Sequence, residues 1–136
     1  MPAFTLDPRL AADSIFIADL SLSQLRLMND SRFPWLVLVP RLDEAVEWTD
    51  LDNERQVELL SEINRAAMLL RAVAPCDKLN IGALGNIVRQ LHVHVVARRV
   101  GDAAWPGPVW GSGLAVAYDE SARISRVEAM RQDLSA

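Results

Sequence analysis

Apolar and polar positions alternate in short stretches near the start of this chain. Residues 14–20 (Ser-Ile-Phe-Ile-Ala-Asp-Leu) and 23–28 (Ser-Gln-Leu-Arg-Leu-Met) have the length and mixture of strands, with Leu20-Ser21-Leu22 as a tight connection. The Asn29-Asp30-Ser31-Arg32 cluster predicts a turn. Trp35-Leu-Val-Leu-Val39 is apolar without a break, as a buried strand is, and Pro40 closes it because proline has no N–H to give a ladder.

The period then lengthens. Apolar residues at 57, 60, 63, 67, 70 and 74 predict one stripe of a long amphipathic helix. Thr49 or Asp50 offers its N-cap, Asp52 and Glu54 suit the dipole of its first turn, and Pro75 stops it. Leu79 to Ala83 predicts a strand, Gly82 to Asn86 a turn, and Arg89 to Ala97 a further strand. Gly, Pro and Trp crowd residues 101–113 into a loop, and a second helix starts at Asp119 or Ser121 and runs to Asp133. Strands, helix, strands, helix is the order of an α+β domain with an antiparallel sheet of about five strands. With no repeat or linker, residues 1–136 predict a single domain, its core at 14–110 and its C-terminal helix at 119–133.

Composition narrows the function classes. The chain is 51% apolar and 24% charged, an ordinary globular balance. Its net charge of −4 and pI near 5.1 argue against nonspecific nucleic-acid binding, although a local site can still take a small anion. Cys76 is the single cysteine, so no intrachain disulfide or cysteine zinc cage can form. The start, Met1-Pro2-Ala3-Phe4-Thr5-Leu6-Asp7, lacks the basic and apolar regions of a signal peptide, and no apolar run approaches the ~20 residues of a membrane span. A cytoplasmic address is the expectation.

The two histidines sit two apart, in Gln90-Leu91-His92-Val93-His94-Val95-Val96. On a strand this puts Gln90, His92 and His94 on one face and the apolar residues on the other, with the two imidazoles roughly 7 Å apart at their Cα atoms. Three readings stay open on spacing alone. The two rings are half-buried structural histidines; or they share a metal ion with a third ligand, for which Asp102 is the nearest acid; or one is a nucleophile and the other binds phosphate. Neutral imidazole, with a free pKa of about 6.5, is available to attack phosphorus near neutral pH.

The surrounding residues favour phosphorus chemistry. Asn80-Ile-Gly82-Ala-Leu-Gly85-Asn86 leads into the histidine segment, Trp105-Pro106-Gly107 follows it, and Trp35-Leu-Val-Leu-Val-Pro40 precedes it. In this order, over roughly residues 14–110, the chain resembles the histidine-triad family of nucleotide hydrolases and transferases, whose signature is His-φ-His-φ-His-φ-φ. The resemblance implies that His92 is the nucleophile that forms a nucleotidyl-imidazole intermediate at the α-phosphorus, and that His94 contacts the phosphate. It implies phosphate contacts from Asn80, Gly85 and Asn86. It places Asn29 or Asp30 near ribose hydroxyls, and Trp105 against the nucleoside or the partner subunit's site. It also implies a homodimer.

Three positions depart from the pattern. Gln90 stands at the first triad histidine; its amide can donate and accept but cannot carry a proton. Ile87 stands where relatives often have a serine or threonine, and Trp35 where many have a fourth histidine. The function implied is hydrolysis or nucleotidyl transfer on a nucleoside phosphate, a dinucleoside polyphosphate such as diadenosine tetraphosphate, or a nucleoside phosphoramidate. The alternative is a noncatalytic nucleotide-binding or adaptor protein that keeps the pocket. No cofactor or structural metal is required, though a divalent cation can accompany a polyphosphate.

Other features have plain structural readings beside the functional ones. Gly82-x-x-Gly85 lacks the third glycine and following helix of a dinucleotide fingerprint and reads as a hairpin turn. Trp110 reads as a large aromatic pinning its loop, Cys76 as a structural residue at a helix end, and Arg32 and Arg41 as solvated cations. Arg98 and Arg99 are either the cationic rim of the site or charge on a strand end.

Overall fold

The computed structural model describes residues 4–136; Met1 to Ala3, part of the stretch judged for a leader, lie outside the described residues. The chain forms α1 (Pro8–Asp13), β1 (Ser14–Asp19), β2 (Ser23–Met28), β3 (Trp35–Pro40), a short 3-10 turn (Trp48–Asp50), α2 (Asn53–Val73), β4 (Lys78–Gly82), β5 (Val93–Arg98) and α3 (Glu120–Ser135). The five strands make one antiparallel sheet in the order β1-β2-β3-β5-β4. The α+β class and the five-strand sheet are as the sequence predicts.

Strand periodicity sorts side chains onto two cores. Leu25, Leu27, Leu36, Leu38, Val93 and Val95 face α2 and α3 and form the larger core with Leu59, Ala66, Leu70, Val127 and Met130. Trp35, Val37, Val39 and Val96 face the other way and pack with Leu10, Phe33 and Val109. β3 and β5 are buried on both faces, which is why β3 reads as an unbroken apolar run.

Four expectations change in detail. The short helix α1 was not predicted; Asp7 caps it by accepting from the Arg9 N–H, with Pro8 at its first position. The N-cap of α2 is Asp52 rather than Thr49 or Asp50, because the Asp50 carboxylate turns back to the N–H groups of Val46 and Glu47. The buried stripe of α2 is rotated: Val57 and Leu60 are 68% and 60% exposed, while Leu59, Glu62, Ala66 and Leu69 are buried. Glu62 causes the discrepancy. Its carboxylate accepts from the N–H groups of Leu22 and Ser23 at the β1–β2 turn, so a charged residue occupies a core-facing position.

The fourth change concerns the histidine strand. β5 starts at Val93, not Arg89. The Leu91 N–H donates to the Ala45 carbonyl, outside the ladder, so residues 89–92 approach the sheet as irregular chain.

Candidate active site

The face of the sheet opposite α2 carries the histidines. His94 lies in β5 with Val37 of β3 on one side and Gly82 of β4 on the other; His92 is just before the strand. Both are buried, with ring centroids 4.8 Å apart and the planes at 73°. They line a cavity of about 630 Å³. Its further walls come from Leu10, Ala12 and Asp13 of α1, from Met28 to Asp30 at the end of β2, from Leu84 to Val88, and from Val109 to Gly111.

Hydrogen bonds fix the tautomer of each ring. His92 Nδ1 lies 2.7 Å from the Gln90 carbonyl oxygen. A carbonyl only accepts, so in the neutral ring Nδ1 carries the proton and Nε2 the lone pair. For His94 the logic inverts. The Trp35 indole N–H donates to His94 Nδ1 at 3.0 Å, so Nε2 carries the proton. Burial, with a smaller contribution from His92, pushes the His94 pKa down to about 3, which keeps this ring neutral near pH 7. The pair thus sets an unprotonated ring nitrogen beside a neutral N–H donor.

Gln90 is not a third member of that row, which corrects the expectation from alternation. Its Oε1 accepts from the Asp7 N–H at 2.8 Å and its Nε2 donates to the Thr5 carbonyl at 2.9 Å. Residue 90 lies in the irregular approach to β5, and the N-terminal segment takes up its amide. Asn80 is also displaced from its expected role. It pairs with Val96 across the ladder, and its Oδ1 accepts from Arg98 Nη1 at 2.8 Å, away from the cavity lining.

Gly85 and Asn86 do line the cavity, and Gly85 has a φ of +71°, a conformation that favours glycine. Asp30 lines it too, almost fully buried. Burial raises its pKa, but the Arg32 guanidinium and the N–H groups of Arg32 and Val116 more than offset this and hold it below the usual carboxylate range. Both Asp30 oxygens bond Arg32, and Oδ1 also accepts from the Val116 N–H. Asn29 Oδ1 accepts from the Tyr118 N–H. The Asn29-Asp30 pair therefore ties the segment before α3 to the cavity rim. Arg32 is no free surface cation: it lines the cavity and also donates to the Ser112 carbonyl.

The two loop tryptophans have different surroundings. Trp105 stacks on Arg98, whose guanidinium lies 5.6 Å from its ring, and is not among the cavity residues. Trp110 is: its ring meets His94 edge-on at 5.4 Å and Trp35 at 6.4 Å. Its ring lies against Gly82, where a Cβ would come into ordinary contact with it, 3.4 Å from Trp110 Cη2. Nothing in the local sequence separates the two tryptophans. The α1 wall did carry a signal, in the Asp7-Pro8 start of a helix.

Arg98 is buried in the strand end and held by Asp102 through both carboxylate oxygens, at 2.7 and 2.9 Å. That pairing draws the Asp102 pKa down to about 2. Asp102 is thus engaged away from the histidines, and among the described residues no three His, Cys, Asp or Glu side chains are grouped to hold a metal ion. One further cation lies beneath the site. Arg26 faces Val37, which in turn faces His94, so the three share one cross-strand row. Its buried guanidinium donates to Ser14 Oγ, the Ser14 carbonyl and Gln24 Oε1, and among the described residues it has no carboxylate partner.

The HIT domain family model matches residues 9–101. A histidine triad protein from Bradyrhizobium japonicum is 50% identical, with a TM-score of 0.93 over 96% of this chain and 98% of that one. Another from Sinorhizobium meliloti is also 50% identical, with a TM-score of 0.92 over 95% and 96%. A third, from Marinobacter aquaeolei, is 40% identical, with a TM-score of 0.95 over 98% of both chains. A search of curated proteins found no match. The sequence signature, the sheet with its histidine row and these similarities agree: this chain is a member of the histidine triad family.

Proposed function

We propose that the protein binds a nucleotide in the cavity and acts on its α-phosphorus by double displacement through His92. The observation that carries this reading is the bond from His92 Nδ1–H to the Gln90 carbonyl, which leaves Nε2 as the free base. In the first step the Nε2 lone pair forms a P–N bond and the bond from phosphorus to the leaving group breaks, its electron pair departing with that group. In the second step water, or another acceptor hydroxyl, attacks phosphorus and loses its proton to solvent, and the P–N bond breaks back to imidazole. The products with water are a nucleoside monophosphate and the free leaving group.

His94 Nε2–H and the backbone of the Leu84–Val88 segment supply neutral donors for the phosphoryl oxygens. Leu84, Ile87 and Trp110 offer apolar surface for a base. With the Gln90 amide occupied by Thr5 and Asp7, no side chain at the first triad position can protonate the leaving group. Substrates whose leaving group is a stable anion, such as the nucleotide of a dinucleoside polyphosphate, fit this site better than alkyl phosphoramidates. No resident cofactor is needed, and a divalent cation enters with a polyphosphate. A cytoplasmic setting, with its nucleotide pool, suits the reading.

The same reading includes a homodimer. β4 is a sheet edge, and its Ile81, with Val57, Leu60 and Met68 on α2, leaves apolar surface uncovered in one subunit. Light scattering at micromolar concentration should return about twice the monomer mass of 15.1 kDa.

The decisive experiment incubates the protein with dinucleoside polyphosphates and nucleoside phosphoramidates and measures both product and protein mass. A transient gain of one nucleotide on His92 supports the mechanism. Tight binding without adduct or product supports instead the noncatalytic alternative, which the missing acid at position 90 favours.

A further inference from the structure

We propose that Gln90 is a positioning residue: it straps the N-terminal segment across the site, so that one residue sets both a cavity wall and the orientation of His92. A carboxamide carries one acceptor and one donor side by side, as a peptide group does. Gln90 uses them in that way, pairing with the Asp7 N–H and the Thr5 carbonyl, two backbone groups two residues apart. The strap has other fastenings. The Thr5 N–H donates to Asp43 Oδ1 at 3.0 Å, and Phe4 and Leu6 pack against the core that underlies the histidines.

Immediately after the strap, Asp7 caps α1, and α1 contributes Leu10, Ala12 and Asp13 to the cavity. The backbone carbonyl of the same Gln90 accepts the His92 Nδ1 proton. Side chain and main chain of one residue therefore hold two parts of the site in register. An imidazole at this position would point its two nitrogens in divergent directions and could not make the paired contact. This inference rests on the assignment of His92 as nucleophile, but its structural half does not.

The test compares wild type with Gln90→Ala and Gln90→Glu, using AMP as the binding probe. Three readouts are followed: AMP affinity, amide exchange of residues 5–13, and the ¹⁵N shifts of the His92 ring. Gln90→Ala should weaken AMP binding about tenfold, the worth of one or two hydrogen bonds. It should also speed exchange at Asp7 and through α1, and shift His92 Nδ1. Gln90→Glu keeps the acceptor for Asp7 but lacks the donor for Thr5 at neutral pH. Its deficit relative to wild type should shrink as the pH falls toward about 4.3, where the carboxyl regains a proton, whereas the deficit of Gln90→Ala should not. Faster exchange with AMP affinity and His92 unchanged would overturn the proposal in favour of a purely structural tether. Weaker binding with exchange unchanged would overturn it in favour of direct ligand contact. If wild type forms no nucleotidyl adduct, the proposed function fails, while the exchange and ¹⁵N measurements still decide the strap.

Discussion

The Trp35 indole N–H donates to His94 Nδ1 at 3.0 Å, and this bond decides which nitrogen of the neutral His94 ring carries the proton. Trp35 and His94 lie on neighbouring strands, with Trp35 opposite Val96, so the contact is diagonal across the ladder. Trp35→Phe keeps an aromatic ring but removes the donor. The fold should persist, the His94 ring should populate both tautomers by ¹⁵N NMR, and kcat should fall about 2- to 13-fold, the equivalent of one hydrogen bond. A rate and tautomer unchanged from wild type would dismiss the role assigned to Trp35.

His92→Ala should remove the nucleotidyl adduct and lower kcat by at least three orders of magnitude; losing a nucleophile in a covalent mechanism costs on the order of 10⁶. Because His92 is buried, the variant should also lose stability, by about 1–3 kcal/mol. Urea unfolding and mass spectrometry separate the two effects. Full turnover in a folded His92→Ala protein would end the covalent mechanism.

The depressed His94 pKa predicts an acid-sensitive fold. Its folded value, about 3, lies below the 6.5 of an unperturbed histidine. Above pH 6.5 neither folded nor unfolded chain holds the proton. Below it the unfolded chain takes one up and the folded chain does not, so stability falls as the pH drops toward 3, by up to about 1.4 kcal/mol per pH unit. Urea midpoints measured between pH 7 and 4 should show this slope, and His94→Asn should flatten it.

Asp102→Asn leaves Arg98 buried without a counter-charge. Breaking a buried pair in this way typically costs about 3–5 kcal/mol, so a marked drop in Tm is expected. The pair's own acid sensitivity lies lower than that of His94: the stabilisation is present above 3.8, the ordinary aspartate value, and is lost as the pH falls through about 2. An unchanged Tm in the variant would mean that solvent replaces the carboxylate there.

Gly82 tests the placement of Trp110. A Cβ at 3.4 Å from Cη2 is ordinary contact, so Gly82→Ala should bind AMP nearly as wild type does. The branched side chain of Gly82→Val reaches further and must push the indole out of the cavity wall. AMP affinity should fall about tenfold for valine, the equivalent of a partly lost aromatic contact. Equal behaviour of the two variants would remove Trp110 from the ligand site.

The sequence by itself determined the elements whose signals are local. The unbroken apolar run of β3, the Leu20–Leu22 turn, the Pro75 stop and the Asp119 cap of α3 depend on neighbours in the chain, and each lies where expected. The His92/His94 pair was also legible as a pair of neighbouring rings, although only His94 lies in the strand and His92 just before it. Other features required partners distant in sequence. Glu62 takes a core-facing position on α2 only because the β1–β2 turn presents two N–H groups to it. Gln90 leaves the histidine row because Thr5 and Asp7, more than eighty residues earlier, claim its amide. Trp110, not Trp105, lines the cavity: its ring packs against His94, while the other ring lies under the Arg98 guanidinium. Periodicity reports which face a residue is on; which polar group satisfies which is settled only when the chain closes on itself.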